Sequence, residues 1–386
     1  MRDRSTPRHL QGHGSGTGST TCHVTHVARL TGMRFISLMA RKLILSDQAD
    51  DVRKLVESYI QSGNLNFLIG SGASMPAIQV AGDIEAQING LLMGGDLEQA
   101  NLVALDFIEE LAERNVDLLA DIDDEPLVET LSNYVDFLSI IDAILFERKN
   151  ILLPRQANIF TTNYDLFIEK AASKLPNVTL NDGFDRTSAV GNRYLFSPAR
   201  YFDRTYRSGN MTDRIVELPV LNLIKVHGSL SWMRDTDKEI RFASDGVKLS
   251  GNVSKIDPAA VTAALGTRAL ILPNLRKFES ALMERVYFDL LRLLSNCMDK
   301  DNALLVAFGF SFADEHILDI TQRALRNPTS QLLIFAYSDA NVAGFSSKFA
   351  QNRNITIVAP GQGPSIDFKS FNAILRAIIP ESGAPQ

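Results

Sequence analysis

Cysteine is nearly absent from this chain of 386 residues: only Cys22 and Cys297 occur. Two distant thiols argue against a disulfide framework and fit a reducing compartment. They also exclude a four-thiolate zinc site built within one chain. Histidine is scarce as well. Of six, His9, His13, His23 and His26 stand near the start, which leaves His227 and His316 for the rest. No run of 18 or more apolar residues occurs, so there is no candidate for a membrane-spanning helix. Excess positive charge is missing too. The net charge of −6 gives no general affinity for nucleic acid or anionic membrane, although a local basic patch stays open. What remains is ordinary for a soluble globular protein, with 45% hydrophobic and 22% charged residues. The length suits one large domain or two smaller ones.

The first 32 residues, MRDRSTPRHLQGHGSGTGSTTCHVTHVARLTG, are polar and carry no apolar period. They lack the apolar centre of a signal peptide. Residues 1–38 are therefore expected to be a disordered leader or translated upstream sequence, with the true start at Met33 or Met39 and the domain over 39–386. The Gly12–Gly18 run has the glycines of a phosphate loop but no strand before it. The four leader histidines could bind metal adventitiously; a flexible tail is the expectation.

Beyond the leader, short apolar runs alternate with helical patterns. Ser46 is placed to cap a helix reaching about Gln61, with Gly63 as its stop. Asn66–Ile69 reads as a buried strand, and residues 83–150 as a largely helical, acidic insertion or subdomain. Further strands are expected at Ala157–Thr161, Val220–Val226, Ala303–Phe308, Gln331–Tyr337 and Ile355–Val358. Helices are expected at Leu166–Ala172, near Phe278–Met298, after Asp314 and near Phe368–Ile379. Residues 175–218 suggest loops with a strand or two, and 233–268 are irregular. This order predicts an α/β fold, a Rossmann-like and mostly parallel sheet covered on both faces.

In such sheets ligands bind beyond the carboxyl ends of the strands. Five strand ends here run directly into small, polar or acidic residues. Gly70-Ser71-Gly72-Ala73-Ser74 suits close approach of a pyrophosphate, or only a tight turn, and Met75-Pro76 interrupts helix entry. Thr162, Asn163 and Asp165 could orient a carboxamide, a ribose or a water, or simply cap the next helix. His227, before Gly228-Ser229, is a candidate general base or a buried structural histidine. Gly309 and Ser311 suit a phosphate or ribose contact, or a turn. Ser338-Asp339 has the place of a carboxylate that accepts from ribose hydroxyls. His316, beside Asp314 and Glu315, fits a surface or capping role.

The order of these motifs resembles the sirtuins, over about residues 64–340. Within that superfamily the pieces NFLIGSGAS, IFTTNYD, IKVHGSLSW and FGFSFADEHI look closest to bacterial antiviral-defence sirtuins. The resemblance implies NAD as substrate. Gly70, Gly72, Ala73 and Ser74, with Ser71 and Thr162 beside them, would contact it. Asn163 and Asp165 would hold the nicotinamide ribose and water, and His227 would be the base. Gly309 and Ser311 would meet the adenosine side, with Asp339 near its ribose. Two departures matter. Met75-Pro76-Ala77-Ile78 replaces the loop usual in the deacylases, and the zinc ribbon that braces the acyl-lysine cleft cannot be built from two cysteines.

The expectation is a cytoplasmic NAD glycohydrolase acting in anti-phage defence, without zinc. An NAD-dependent protein deacylase or ADP-ribosyltransferase, or a non-catalytic NAD or ADP-ribose sensor, is the alternative. Such an activity must be gated. With about 45 residues after Asp339, too few for a sensing domain, control is expected from outside the chain. A homo-oligomer formed partly through 83–150 is expected, and the resemblance implies a HerA-type hexameric ATPase or, less favoured, a short Argonaute as its partner.

Overall fold

Leucine- and isoleucine-rich runs of four to six residues form the core of one parallel sheet, because both of its faces are covered. The structure, a computed structural model, describes residues 40–379 apart from 80–81, 149, 151, 187–193, 209–214, 236–238, 244–246, 248–252 and 272–280. The leader, with Cys22 and its four histidines, and the first residues of the helix expected from Phe278 lie outside the described residues.

In chain order the first elements are β1 (Arg41–Ile44), α1 (Leu45–Ser62), β2 (Asn64–Ile69), α2 (Gly82–Met93), α3 (Leu97–Leu119) and α4 (Glu125–Phe146). Next come β3 (Gln156–Thr161), α5 (Phe167–Ser173), β4 (Leu180–Asn181), β5 (Phe184–Asp185) and β6 (Tyr194–Phe196). The hairpin β7 (Tyr206–Ser208) and β8 (Ile215–Glu217) leads to β9 (Val220–Lys225), β10 (Gly228–Arg234), β11 (Ile240–Phe242), α6 (Pro258–Gly266) and β12 (Arg268–Leu270). The chain continues through α7 (Ala281–Met298), β13 (Ala303–Phe308), α8 (Glu315–Ala324), β14 (Gln331–Phe335), α9 (Asp339–Lys348), β15 (Ile355–Ala359) and α10 (Phe368–Arg376).

The main sheet has the order β1-β15-β14-β13-β2-β3-β9-β4, and its pairings are parallel. The fold is thus α/β and Rossmann-like. From β2 the chain builds outward to β3 and β9 on one side, then returns to β13, β14 and β15 on the other. The order reverses between β2 and β13, which makes their carboxyl ends the switch point where this architecture leaves a crevice. Alternate residues of each strand go to opposite layers. Phe67, Ile159, Leu223 and Val306 join one core with α1, α4 and α10; Leu68, Phe160, Ile224 and Leu305 join the other with α7, α8 and α9.

Several local expectations change. Ser46 does not cap α1: β1 runs straight into the helix, Ile44 N–H donates to Gln48 Oε1 at 3.1 Å, and the Ser46 hydroxyl donates to Asp47. The helical stretch over 83–150 divides in two. Helices α2 and α3 pack on each other and on Leu265 of α6, whereas α4 buries Tyr134, Phe137 and Ile141 in the main core. The irregular regions hold a second, antiparallel sheet, β12-β10-β11-β6-β5. Trp232 anchors it against Phe184 and Phe196, with ring centroids 5.5 and 4.8 Å away. Edge strand β1 carries too little apolar pattern to be seen in the sequence.

Register in the main sheet is pinned by an asparagine ladder. Asn66, Asn158, Asn222 and Asn181 sit opposite one another on β2, β3, β9 and β4. Asn158 Nδ2 donates to Asn66 Oδ1 at 2.8 Å, Asn222 Nδ2 to Asn158 Oδ1 at 2.9 Å, and Asn181 Nδ2 to Asn222 Oδ1 at 3.0 Å. A one-residue slip would break every rung. Asn222→Leu leaves partners on both sides without their amide, and a buried unsatisfied group costs about 1–3 kcal/mol. Urea denaturation is expected to show that loss as a lower midpoint with an unchanged slope.

Candidate functional site

The loops at the carboxyl ends of β13 and β2 meet backbone to backbone. Gly70 N–H donates to Phe308 O and Gly72 N–H to Gly309 O, both at 3.0 Å. A Cβ on Gly70 would lie 2.3 Å from Gly309 O, and one on Gly72 would lie 2.9 Å from Gly309 Cα. Gly309 itself has φ +64°, a region that favours glycine. This revises the reason for the glycines: side chains are excluded first by the neighbouring loop, before any phosphate is considered. The helix expected directly after them is also displaced. Ser71–Ser74 form a single 3-10 turn, and α2 starts only at Gly82, so no helix N-terminus follows the loop immediately.

Within that turn Ala73 and Ser74 point inward, while Ser71 and Gly72 are half-buried. Ser74 is the centre of a network. Its hydroxyl donates to Asp165 Oδ2 at 2.7 Å, lies 3.0 Å from the Tyr134 hydroxyl, and accepts from Asn163 Nδ2 at 3.1 Å. Asn163 Nδ2 also donates to Gly70 O at 3.1 Å, and its backbone N–H donates to Thr161 Oγ1 at 3.0 Å. The amide plane is thereby fixed. Among the described residues Asn163 Oδ1 is buried with no partner, an orphan acceptor of the kind a ligand satisfies. Thr162, half-buried, lies between.

Asp165 is placed differently from the expectation that it holds a ribose. It is 5% exposed, and its oxygens accept from Ser74 and, at 3.3 Å, from Phe167 N–H. It braces Ser74 and so, at one remove, Asn163. Burial raises its pKa above the ordinary carboxylate value, and Lys225 opposes that rise. Lys225 is 2% exposed. It pairs with Glu169 at 2.8 Å and donates to Ser229 Oγ and to the Asp165 carbonyl. One buried ammonium thus ties α5, the β3 exit and β10 together.

His227 follows β9, and Gly228, with φ +84°, turns the chain into β10. The ring lies between Tyr164 and Tyr287, with centroids 6.5 and 6.2 Å away. Its Nε2 is 2.9 Å from Asp314 Oδ2. Asp314 also caps α8, accepting from the N–H groups of His316 and Ile317. The sequence showed only the cap; its contact with His227 depends on two distant strand exits and has no local signal. Tyr287 is a second residue that sequence reasoning missed. Among the described residues its hydroxyl is buried without a partner, and burial, with Asp314 nearby, raises the phenol's pKa, which keeps it a donor.

The remaining candidates lie farther out. Ser311 is exposed, and its carbonyl accepts from Lys348. Asp339 opens α9 and pairs with Lys42 of β1 at 3.1 Å, so a ribose would compete with that lysine. His316 is exposed and packs edge-on against Tyr287. Cys297 is a buried free thiol whose pKa burial raises. That makes it a weak nucleophile. Among the described residues no group of three or more side chains is arranged to hold a metal ion, and no helix is long and apolar enough to cross a membrane.

A family model described as the SIR2-like domain matches residues 157–358, just over half of the chain. The chain belongs to the SIR2-like family. Domains of this family are typically NAD-dependent enzymes with NAD as substrate. The matched segment runs from β3 to β15, so it includes Asn163, Asp165, His227, Gly309, Ser311 and Asp339; Gly70–Ser74 precede it. No curated protein matches the chain in sequence.

Two outcomes follow from this geometry. Gly70→Ala and Gly309→Ala are expected to lower stability by about 1–3 kcal/mol through clash or strain, read as a lower thermal midpoint without any ligand. Were glycine needed only for phosphates, Gly70→Ala would lose binding at full stability. Lys225→Met leaves Glu169 without its cation and removes the charge that opposes the raised pKa of Asp165. Removing one partner of a buried pair costs about 3–5 kcal/mol, which calorimetry would detect.

Proposed function

We propose that this SIR2-like protein hydrolyses NAD to nicotinamide and ADP-ribose. The observation that carries the reading is the placement of Asn163 and His227. Thr161 and Lys225 are paired across the adjacent strands β3 and β9, and each candidate stands two residues beyond its member of that pair. An amide with an orphan acceptor and an imidazole therefore leave the sheet at one level, beside the switch point. The buried, unpartnered Tyr287 hydroxyl adds a donor on the His227 side.

The chemistry needs no more than this. The bond from ribose C1′ to the nicotinamide nitrogen breaks, and its electron pair leaves with nicotinamide, which was cationic and departs neutral. Positive charge builds on the ribose ring, as in other glycoside cleavages. A water oxygen bonds to C1′, and its proton passes to His227 and then to solvent. Asn163, held by Gly70 and Ser74, orients the ribose or the water. Positioned general-base catalysis of this kind contributes about 10²–10⁴-fold. Gly70–Gly72 and Gly309–Ser311 flank the crevice from the other side, where the pyrophosphate and adenosine would extend. Hydrolysis is favoured over deacylation because two cysteines cannot form the zinc ribbon that braces an acyl-lysine cleft.

The role we assign is NAD depletion in anti-phage defence, in the cytoplasm, by a homo-oligomer gated by a HerA-type ATPase or a short Argonaute. The support is the resemblance of the motifs to defence sirtuins and the harm an ungated hydrolase would do to its own cell. His227→Ala and Asn163→Ala are each expected to lower nicotinamide release by about 10²-fold or more while the protein stays folded by circular dichroism. Release is measured with and without the ATPase, and with an acyl-lysine peptide. Near-normal turnover in both variants would overturn the site assignment. Release only with the peptide would favour deacylation, and binding without turnover under every condition would favour a sensor.

A further inference from the structure

The proposed reaction gives no reason for the closest polar contact of its base. His227 Nε2 and Asp314 Oδ2 are 2.9 Å apart, and their side chains are 9% and 7% exposed. The two residues do not come from neighbouring elements. His227 leaves β9 and Asp314 follows β13, and the sheet order places β2 and β3 between those strands. The bond therefore joins the two halves of the sheet across the switch point. It is also supported from behind. Phe312, with φ +54°, and Ser311 offer their carbonyls to Lys348 Nζ at 2.7 and 2.9 Å. That anchors the loop presenting Asp314.

The direction of the bond follows from the rest of Asp314. Its Oδ1 accepts two backbone N–H groups at the start of α8, where the helix dipole favours a negative charge. A carboxylate so placed accepts, and the imidazole must donate. We infer that Asp314 is a positioning residue for His227: it accepts Nε2–H, holds the ring in that tautomer, and leaves Nδ1 as the nitrogen that takes the proton. Among the described residues Nδ1 has no hydrogen-bond partner of its own. The other groups against the ring, Tyr164 and Tyr287, are phenols; Tyr164 donates to Ile271 O at 2.6 Å, and Tyr287 stays protonated. Among the described residues Asp314 is thus the charged group hydrogen-bonded to the ring. As a proton acceptor in turnover, this role rests on the hydrolase reading; as a tautomer, it does not.

The test separates the two. The full chain is labelled with ¹⁵N-histidine, and ring nitrogens are observed at alkaline pH, where the imidazole is neutral. His227 signals are identified by their loss in His227→Gln. The wild type is expected to show protonated Nε2 and bare Nδ1. Asp314→Asn keeps a side chain that caps helices well but can turn its amide N–H toward the ring. It is expected to raise the Nδ1–H form and to lower turnover by about 10²–10⁴-fold, the scale of losing an orienting carboxylate. The thermal midpoint should be retained. A wild-type His227 carrying its proton on Nδ1 would overturn the inference, whatever the variants do. So would an Asp314→Asn protein with unchanged tautomer and turnover. Absence of NAD turnover in the wild type would sink the hydrolase reading, while the nitrogen shifts would still decide the tautomer.

Discussion

The contact between the loops after β2 and β13 is made by backbone alone. Gly70 and Gly72 lie so close to Gly309 that a Cβ on either would meet the opposite main chain below normal contact distance. Everything that forms the candidate site is arranged around that seam. Asn163 is aimed by the Gly70 carbonyl and by Ser74. Asp314 is delivered by the same β13 exit loop that begins at Gly309. Parallel register, held lower in the sheet by the asparagine ladder, brings these loops to one level. A shift of either loop would move amide and imidazole together.

Electrostatics gives the site its second character. Its charged groups are buried and paired rather than open to water. Lys225 faces Glu169 and supports Asp165, and His227 faces Asp314. Breaking the Lys225–Glu169 pair is costly because one charge would remain without its partner in a low dielectric. Among the described residues two neutral buried atoms at the site are left unsatisfied, the Asn163 carbonyl oxygen and the Tyr287 hydroxyl, beside one carboxylate oxygen of Glu169. A site with fixed charges and two orphan polar atoms suits a substrate bound through hydroxyls and a carboxamide.

The central strands of the main sheet and their exits were legible in the sequence because each of them has a strong local signal. Ala303–Phe308 is a continuous apolar run, and Gly, Asn or His stands immediately beyond its neighbours, so the α/β class and the strand-end candidates followed. What was not legible depends on tertiary contact. Asp314 has the spacing of a helix cap, and nothing in that spacing indicates a histidine 87 positions away. The ladder asparagines are polar residues inside apolar strands, and only the register shows why they are tolerated. Asp165 could be read as a site carboxylate or as a cap of the next helix; its bonds to Phe167 N–H and Ser74 show the capping contact and a brace to Ser74 that only tertiary structure reveals. The antiparallel sheet around Trp232 is built from strands mostly three residues long, too short to show a period.

Product stoichiometry distinguishes hydrolysis of NAD from transfer of its ADP-ribose. The full-length protein, alone and with a HerA-type ATPase, is incubated with NAD, and nicotinamide, free ADP-ribose and protein-bound ADP-ribose are separated and counted. Equal amounts of nicotinamide and free ADP-ribose are expected, with formation of both lost in His227→Ala. Nicotinamide accompanied by ADP-ribose attached to protein would contradict hydrolysis, and NAD left intact under both conditions would contradict cleavage altogether.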